Sequence, residues 1–207
     1  RIAVQPNMQS NNIGSNLLGV IECYGTEQGY DFIGTSFGAN EQLVNFWGAL
    51  GYLFARLGFK QDNASGEHSC ILLKALSEQA NVILADVNQQ FYQSLPYYLA
   101  EQFRCISPAL VNTLYRFALP STLPKVTLND THKVDGFINK EQLYNVCAYS
   151  LSLWLCNKLN VDQYVDGELL IEKILQRRSH GYLCNRYQLT GQKALNNALI
   201  KQVKRLR

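Results

Sequence analysis

The sequence lacks the short motifs that identify the common nucleotide-binding and metal-binding sites. It contains neither the Walker loop GxxxxGK[ST] nor the dinucleotide fingerprint GxGxxG. Its six cysteines form no CxxC pair and have no histidine at metal-ligand spacing. This pattern argues against a zinc site and against a disulfide framework, so we expect no bound metal. We expect instead buried free thiols in the reducing cytoplasm.

Long apolar runs are also absent. No run reaches membrane-spanning length and no signal peptide precedes Arg1, so we expect no membrane partner. Hydrophobic residues make up 47% and charged residues 17% of the 207 residues, which is typical of a globular protein with one large or two small cores. The chain has no starting methionine and opens inside a predicted strand. We therefore expect it to be the C-terminal piece of a longer polypeptide.

Carboxylates are missing from the end of the chain. After Glu172, the last 35 residues contain nine lysines and arginines and no acidic residue. Residues 1–77, by contrast, hold four basic and six acidic side chains. A long segment of one charge sign predicts a polyanionic partner.

The first eighteen residues, RIAVQPNMQSNNIGSNLL, carry the strongest local signal. Ile2-Ala3-Val4 is typical of the end of a buried strand, and the apolar spacing of Leu17, Leu18 and Ile21 is typical of a helix. A loop between a strand and a helix leaves backbone N–H groups unpaired at the positive end of the helix dipole. The pattern therefore predicts a site for a pyrophosphate.

The loop itself, Gln9-Ser10-Asn11-Asn12-Ile13-Gly14, resembles the Gln/Arg-x-x-Gly-x-Gly loop of the GNAT acetyltransferases. That loop holds the pyrophosphate of coenzyme A. Asn12 stands where the first glycine is usual, and asparagine is the non-glycine residue that adopts a positive φ at least cost.

The pattern of residues 14–77 predicts alternating helices and strands. The expected elements are a helix over 14–28 that stops at Gly29, a strand over 31–37, a helix that is capped by Asn40 and ends at Gly51, and strands over 52–59 and 69–76. This order matches the second half of the acetyltransferase fold. From residue 78 the pattern is helical, with expected helices over 81–94, 95–103, 108–119, 141–159, 166–178 and 190–206 and a loop over 120–139.

Four phrases, in this order, resemble one family, the tRNA(Met) cytidine acetyltransferases: RIAVQPNMQ, DFIGTSFG, NFWGALGY and RLGFKQDNASGEHS. The segment Leu189–Lys193, LTGQK, also fits that family. The resemblance implies an α/β (α+β) acetyltransferase fold, C-terminal half, over residues 1–77. It implies an all-helical, basic, tRNA-binding tail domain over residues 78–207.

The resemblance implies an enzyme that transfers acetyl from acetyl-CoA to the exocyclic amine of the wobble cytidine of elongator tRNA(Met). ATP hydrolysis in an upstream module of the same polypeptide would drive it, so this chain alone is expected to be inactive. Carried over by position, the strand edge would pair with the pantetheine amides, the loop would hold the pyrophosphate, and the second helix would add one contact. The cofactor-binding residues implied are Ile2, Ala3, Val4, Gln9, Ser10, Asn11, Asn12, Ile13, Gly14, Ser15 and Gln42.

The chain departs from the family pattern at several of these points. Gln42 replaces a more usual Glu, Ala49 replaces an Arg, and Gln5 replaces a His that precedes the proline. Trp47 stands where the family often has a Tyr that protonates the leaving thiolate, and an indole has no acidic proton of useful pKa. Glu67-His68 is the one acid–base pair near the end of this half, and we leave the catalytic base unassigned.

The basic tail is the expected contact to tRNA, through its phosphates rather than its bases. The anticodon loop presents its wobble base in a single strand, where the base can be splayed into a pocket. The expected RNA-binding residues are Arg177, Arg178, Arg186, Lys193, Lys201 and Lys204.

Two other interpretations remain open on the residues alone. One is an acetyltransferase that acts on a protein amine, which the acid-free tail disfavours. The other is a non-catalytic RNA-binding fragment whose cofactor loop has decayed. Titration with acetyl-CoA distinguishes the non-catalytic fragment from an acetyltransferase. Mass analysis of tRNA nucleosides then distinguishes an acetyltransferase that acts on tRNA from one that acts on protein.

Overall fold

The computed structural model describes residues 3–161 and 167–207. By their internal contacts the residues divide into two units, 1–88 and 89–207. Among the described residues, no helix combines the length and apolarity needed to cross a bilayer. The predicted fold class is confirmed, because a small sheet with helices is followed by a segment that is helical throughout its described elements.

The first unit contains an antiparallel sheet of three strands, β1 (Phe32–Gly38), β2 (Leu53–Gln61) and β3 (His68–Ala75). The strand order is β1-β3-β2, so β3 pairs with both neighbours. The side chains of β3 alternate between buried and exposed at its start, as the two-residue period of a strand requires. The three strands predicted over 31–37, 52–59 and 69–76 are therefore formed, and their ends differ from the predicted ends by one or two residues.

Two helices accompany this sheet, α1 (Ile13–Glu27) and α2 (Glu41–Ala49). Gly29, two residues after α1, has φ +73°, and Gly51, two residues after α2, has φ +84°. Both are left-handed conformations that glycine adopts without a Cβ penalty. The predicted helix ends are thus confirmed.

The strand expected over Ile2–Val4 is not formed by its described residues. Ala3 and Val4 lie in irregular backbone, and Ile2 lies outside the described residues. An extended segment becomes a strand only when its N–H and C=O groups join a ladder, and in the described chain β1, β2 and β3 pair only with one another. The β-branched residues of this short segment were therefore not enough to predict a strand.

A long helix, α3 (Glu78–Ala100), contains the boundary between the two units. The prediction of two helices, over 81–94 and 95–103, is wrong because α3 continues through Pro96. Leu95 and Leu99, on either side of that proline, are both buried. Their packing offsets the roughly 3 kcal/mol that an interior proline costs.

The remaining helices lie in the second unit. They are α4 (Pro108–Arg116), α5 (Leu128–Ile138), α6 (Tyr144–Val161), α7 (Glu168–Leu170) with a π-helical turn at Ile171–Leu175, α8 (His180–Arg186) and α9 (Gln192–Leu206). The expected helix over 166–178 is shorter and partly π-helical, and its first residue lies outside the described residues. Ser179 caps the start of α8, because its hydroxyl accepts a hydrogen bond from the Tyr182 N–H at 3.3 Å.

The loop expected over 120–139 is also wrong, because α5 lies within it. Thr127 and Asp130 form a capping box in which each side chain accepts from the backbone N–H of the other. Val134, Phe137 and Ile138 then bury one face of the helix. The threonine, asparagine and aspartate content that suggested a loop was in part the cap of this helix.

The cysteines are all free, and burial differs among them. Cys70, Cys147 and Cys156 are buried, whereas Cys23 and Cys105 are exposed, so the expectation of burial is wrong for these two. Burial raises the pKa of Cys70 and of Cys156 to about 12. These two thiols stay protonated near neutral pH and are poor nucleophiles.

The Asp130 carboxylate in α5 is hydrogen-bonded to Ser150 in α6. From its hydrogen bonds we predict that the stability of the fold depends on pH. It accepts hydrogen bonds from the Thr127 hydroxyl at 2.6 Å and from the Ser150 hydroxyl at 2.7 Å. These bonds lower the pKa of Asp130. A lowered folded-state pKa contributes stability that is present above the unfolded pKa of about 3.9 and is lost as the pH falls through the folded pKa.

We therefore expect wild type to lose more unfolding free energy between pH 5 and pH 3 than Asp130→Asn, which cannot titrate. Urea unfolding across this range measures the difference. Glu141→Gln, an exposed site in the same unit, is the control and should follow wild type. Parallel curves for wild type and Asp130→Asn would show that the Asp130 bonds do not stabilise the charged carboxylate.

Candidate functional site

A cavity of about 510 Å³ opens at the start of α1. One wall is the loop that leads into α1 and the other is the beginning of α2. Its lining residues are Val4, Met8, Gln9, Ser10, Asn12, Ile13, Gly14, Ser15, Gln42, Leu43, Asn45 and Phe46. None of these side chains carries a formal charge, so a bound anion meets no carboxylate among them.

The loop wall is shaped by two residues in the left-handed region, Ser10 at φ 63° and Asn12 at φ 59°. Side chains hold the loop closed on itself. The Gln9 amide donates to the Val4 carbonyl oxygen at 3.1 Å, and the Asn11 amide donates to the Met8 carbonyl oxygen at 3.2 Å. The Asn at position 12 therefore adopts the conformation for which glycine is usual, as its residue type allows.

The start of α1 lacks a side-chain cap. Asn12 is its N-cap residue and makes no capping hydrogen bond with its side chain. The first N–H groups of a helix have no acceptor within the helix, so those of Ile13, Gly14 and Ser15 depend on other partners. All three residues line the cavity. The positive end of the helix dipole thus lies at the cavity wall.

Gly14 lies close to Phe46 of the second wall. A Cβ built on Gly14 would lie 3.4 Å from the Phe46 ring and 3.8 Å from a Val4 methyl carbon. These are ordinary van der Waals contacts, so a methyl group would fit there. A longer side chain would extend beyond these contacts, beside a cavity lined by the same three residues.

The second wall is fixed by Asn40. Its side-chain oxygen accepts a hydrogen bond from the Leu43 N–H at 3.0 Å, which caps α2 as predicted. Its amide nitrogen donates to the Glu67 carboxylate at 3.1 Å. Glu67 lies so close to Gly38 that a Cβ on that glycine would meet a carboxylate oxygen. Sheet and helix cap are therefore linked through one asparagine.

The structure brings together most of the predicted cofactor residues. Those that line the cavity are Val4, Gln9, Ser10, Asn12, Ile13, Gly14, Ser15 and Gln42. Ala3 and Asn11 do not line it, and Ile2 lies outside the described residues. The sequence analysis missed Met8, Leu43, Asn45 and Phe46 as lining residues. The helical period of α2, which places 42, 45 and 46 on one face, could have indicated Asn45 and Phe46.

The candidate acid–base residues lie elsewhere. His68 is buried at the start of β3, where its Nδ1 donates to the Gly58 carbonyl oxygen at 2.8 Å. Trp47 packs against Phe37 and Tyr52 at ring-centroid distances of 6.3 and 4.8 Å. None of these residues lines the cavity. In the described part of the chain, no cluster of three or more histidine, cysteine, aspartate or glutamate side chains is placed to hold a metal ion.

The predicted RNA-binding residues differ in how they are paired. Arg186 forms ion pairs with Glu168 and with the buried Glu172, both at 3.3 Å. The Arg178 guanidinium lies 4.7 Å from the centre of the Tyr182 ring. Arg177 is exposed and has φ 48°.

Three further predicted residues, Lys193, Lys201 and Lys204, are exposed along α9. Because Arg186 is paired with Glu168 and Glu172, the positive charge of the tail is partly neutralised by acidic residues earlier in the chain. Arg207, the last residue, pairs in the same way with Asp135.

The chain is similar to known proteins of one kind. Residues 25–77 match the family described as GNAT acetyltransferase 2. The tRNA(Met) cytidine acetyltransferase of Nitrosococcus halophilus is 30% identical over 197 residues, which cover 92% of this chain and 26% of the relative. Those of Vibrio cholerae and a Thermococcus species are each 30% identical, over 98% and 86% of this chain and 27% and 23% of the relatives.

The chain thus spans about a quarter of the length of these relatives. The resemblance predicted from the sequence is confirmed. Residues 25–77 match the GNAT acetyltransferase 2 family, and the chain is similar along nearly all of its length to the tRNA(Met) cytidine acetyltransferases.

Proposed function

We propose that this chain is the part of a tRNA(Met) cytidine acetyltransferase that holds acetyl-CoA and contacts the tRNA. The observation that supports this most is the cavity at the start of α1, where eight of the eleven cofactor residues predicted from the sequence meet. Its volume lies within the usual range for ligand sites, roughly 300 to 1,000 Å³.

The residues present fit a coenzyme A pyrophosphate. The N–H groups of Ile13, Gly14 and Ser15 lie at the positive end of α1, and no lining residue is acidic. Gln42 adds an amide donor from the opposite wall. Val4 lies at the edge of the cavity with its carbonyl oxygen already bonded to Gln9, so contacts of pantetheine with Ile2, Ala3 and Val4 remain part of the proposal.

Acetyl-CoA, when bound, supplies the thioester that acylates the amine. A cytosine amine is conjugated with its ring and is already unprotonated at pH 7, so the site has to orient a weak nucleophile rather than deprotonate a cation. Backbone N–H groups can stabilise the oxygen that gains charge. We assign no base, because Glu67 and His68 are engaged in the hydrogen bonds described above.

The finer assignment follows the relatives' names and the resemblance. We propose that the target is the wobble cytidine of elongator tRNA(Met), that the anticodon loop presents it, and that an ATP-hydrolysing module of the same polypeptide drives transfer in the cytoplasm. The RNA phosphates would be contacted by Arg177, Arg178, Arg186, Lys193, Lys201 and Lys204. Incubation of the complete polypeptide with tRNA, ATP and acetyl-CoA, followed by mass analysis of the nucleosides, tests this: acetylcytidine supports it, and acetylated protein without acetylcytidine contradicts it.

The Gly14 position tests the pyrophosphate site. Gly14→Glu places a negative side chain where the phosphate is expected and should weaken acetyl-CoA binding by about 100-fold, or about 2.7 kcal/mol. Gly14→Gln has the same size without the charge and should cost about tenfold. Gly14→Ala is the control, because its methyl group fits, and should stay within about threefold of wild type.

Isothermal titration with acetyl-CoA gives the three affinities, and circular dichroism checks that each variant is folded. Equal affinities for a folded Gly14→Glu variant and wild type would contradict the site.

The link between Asn40 and α2 predicts a split between stability and binding. Asn40→Ala removes the cap and should lower the unfolding free energy by about 1 kcal/mol. Asn40→Ser keeps a capping oxygen but loses the donor to Glu67, and should be nearly as stable as wild type. We expect both variants to bind acetyl-CoA less tightly than wild type, since α2 forms one cavity wall. Normal binding by both would show that this wall does not contact the cofactor.

The pair Arg177 and Arg178 tests the RNA contacts of the tail. Replacing both with alanine should weaken binding to many RNAs alike and reduce the slope of log K against log salt by roughly one unit for each phosphate that is no longer neutralised. Fluorescence anisotropy with tRNA at several salt concentrations measures the slope. An unchanged slope would mean that these two charges only solvate the surface.

A further inference from the structure

Two adjoining concavities lie among α5, α6, α8 and α9 in the second unit, with volumes of about 470 and 400 Å³. They share Leu143, Tyr144, Gln192 and Asn196, and so form one continuous surface. We call this surface the lysine–amide groove. Lys140 and Lys193 line its first part, and Lys173 lines its second part.

The groove carries positive charge that no residue lining it neutralises. Neither concavity is lined by an aspartate or glutamate, and Glu141, which follows Lys140 in the chain, is not among the lining residues. Arg186 and Arg207 form ion pairs within the chain, whereas no ion pair with a carboxylate is found for Lys140, Lys173 or Lys193 among the described residues. An anionic partner would supply the missing counter-charge.

Lys173 illustrates the unbalanced charge. Its ammonium lies 5.0 Å from the centre of the Tyr144 ring, over the aromatic face. Partial burial lowers the pKa of Lys173, since desolvation disfavours the charged form. A phosphate at this point would favour the charged form again.

The backbone at Lys140 is a second unusual feature. Lys140 follows α5 by two residues at φ 64°, a position that usually holds glycine or asparagine. The turn is closed by the N–H groups of Glu141 and Gln142, which donate to the Gly136 carbonyl oxygen at 2.8 and 3.1 Å. A long cationic side chain on a strained position is consistent with a use for that side chain beyond folding.

Amides and the rings of Phe137, Tyr144 and His180 complete the surface. Asn145, Gln192 and Asn196 each offer a donor and an acceptor, which is what the edges of nucleic-acid bases and the ribose hydroxyls require. The exposed Leu143 and the half-buried Tyr144 ring, one face of which lies under the Lys173 ammonium, add apolar surface against which a base can pack. An acidic peptide would use the charges of this groove but would gain less from the ring and the amides.

We propose that the lysine–amide groove binds an RNA strand, with phosphates at Lys140, Lys173 and Lys193 and a base or ribose at Tyr144 and Asn196. The identity of the strand as part of the tRNA rests on the proposed function. Of the residues predicted from the sequence to bind RNA, only Lys193 lies in this groove. The groove therefore adds Lys140 and Lys173 to the RNA-binding residues proposed above.

The first test uses charge. Lys140→Gly, Lys173→Gln and Lys193→Gln are compared with Lys125→Gln, an exposed lysine in the same unit outside the groove. Anisotropy with tRNA(Met) transcript and with polyglutamate, at several salt concentrations, gives affinities and slopes. Each groove substitution should lower the tRNA slope by roughly 0.7 to 0.9, and Lys125→Gln should leave it unchanged. Lys140→Gly should not lower the urea midpoint, because glycine relieves the positive φ.

The second test uses the amide. Asn196→Ala lies within α9, where alanine favours the helix, so folding is protected. We expect a several-fold loss of tRNA affinity with an unchanged salt slope, since no charge is removed.

The outcomes separate the two proposals. If wild type binds tRNA and the groove variants keep its affinity and slope while Lys201→Gln and Lys204→Gln lower them, the groove is the wrong surface and the proposed function stands. If wild type binds no tRNA, both the groove and the tRNA contact proposed for this chain fail. Equal losses for polyglutamate and tRNA would overturn the assignment of RNA as the partner.

Discussion

The backbone N–H groups at the start of α1 are the constraint around which the first unit is arranged. A helix start needs acceptors, and here the N-cap residue, Asn12, supplies none through its side chain. The left-handed conformations of Ser10 and Asn12 keep the preceding loop to one side, so Ile13, Gly14 and Ser15 line an open cavity. Because these N–H groups have no side-chain cap in the described chain, an anionic ligand in the cavity can accept their hydrogen bonds. The pyrophosphate of the proposed cofactor is such a ligand.

The opposite wall depends on a hydrogen-bond relay rather than on apolar packing alone. Glu67 accepts from Asn40, and Asn40 in turn accepts from the N–H of Leu43, a residue of the cavity wall. A Cβ on Gly38 would meet the Glu67 carboxylate, so glycine at this position leaves that side chain its place beside Asn40. In the sequence, Glu67 was a possible acid–base residue, and the structure gives it a partner that accounts for its position without a catalytic role.

Local signals in the sequence were sufficient for much of the first unit. The Asn40 cap, the glycines at 29 and 51 and the two-residue period of the strands are short-range features, and each was correctly placed. The absence of a strand at Ala3–Val4 was not predictable in this way, since a strand forms only when another strand pairs with it. The helix that passes through Pro96 was missed because long-range burial of Leu95 and Leu99 outweighs a local rule.

The tail shows the same limit for charge. The absence of carboxylates after residue 172 suggested a uniformly basic surface, yet Arg186 is paired with Glu168 and Glu172. Pairing across such distances along the chain depends on the fold and cannot be read from composition. The lysine–amide groove was hidden for the converse reason, because it assembles residues from one segment predicted as a loop and three segments predicted as separate helices.

Amide hydrogen exchange with and without coenzyme A tests the central claim most directly, because it reports on the backbone N–H groups themselves. The account predicts slower exchange on ligand addition at residues 10–15, centred on Ile13, Gly14 and Ser15, with smaller effects at the start of α2. Binding of coenzyme A that leaves these amides unchanged and protects another part of the chain would contradict it.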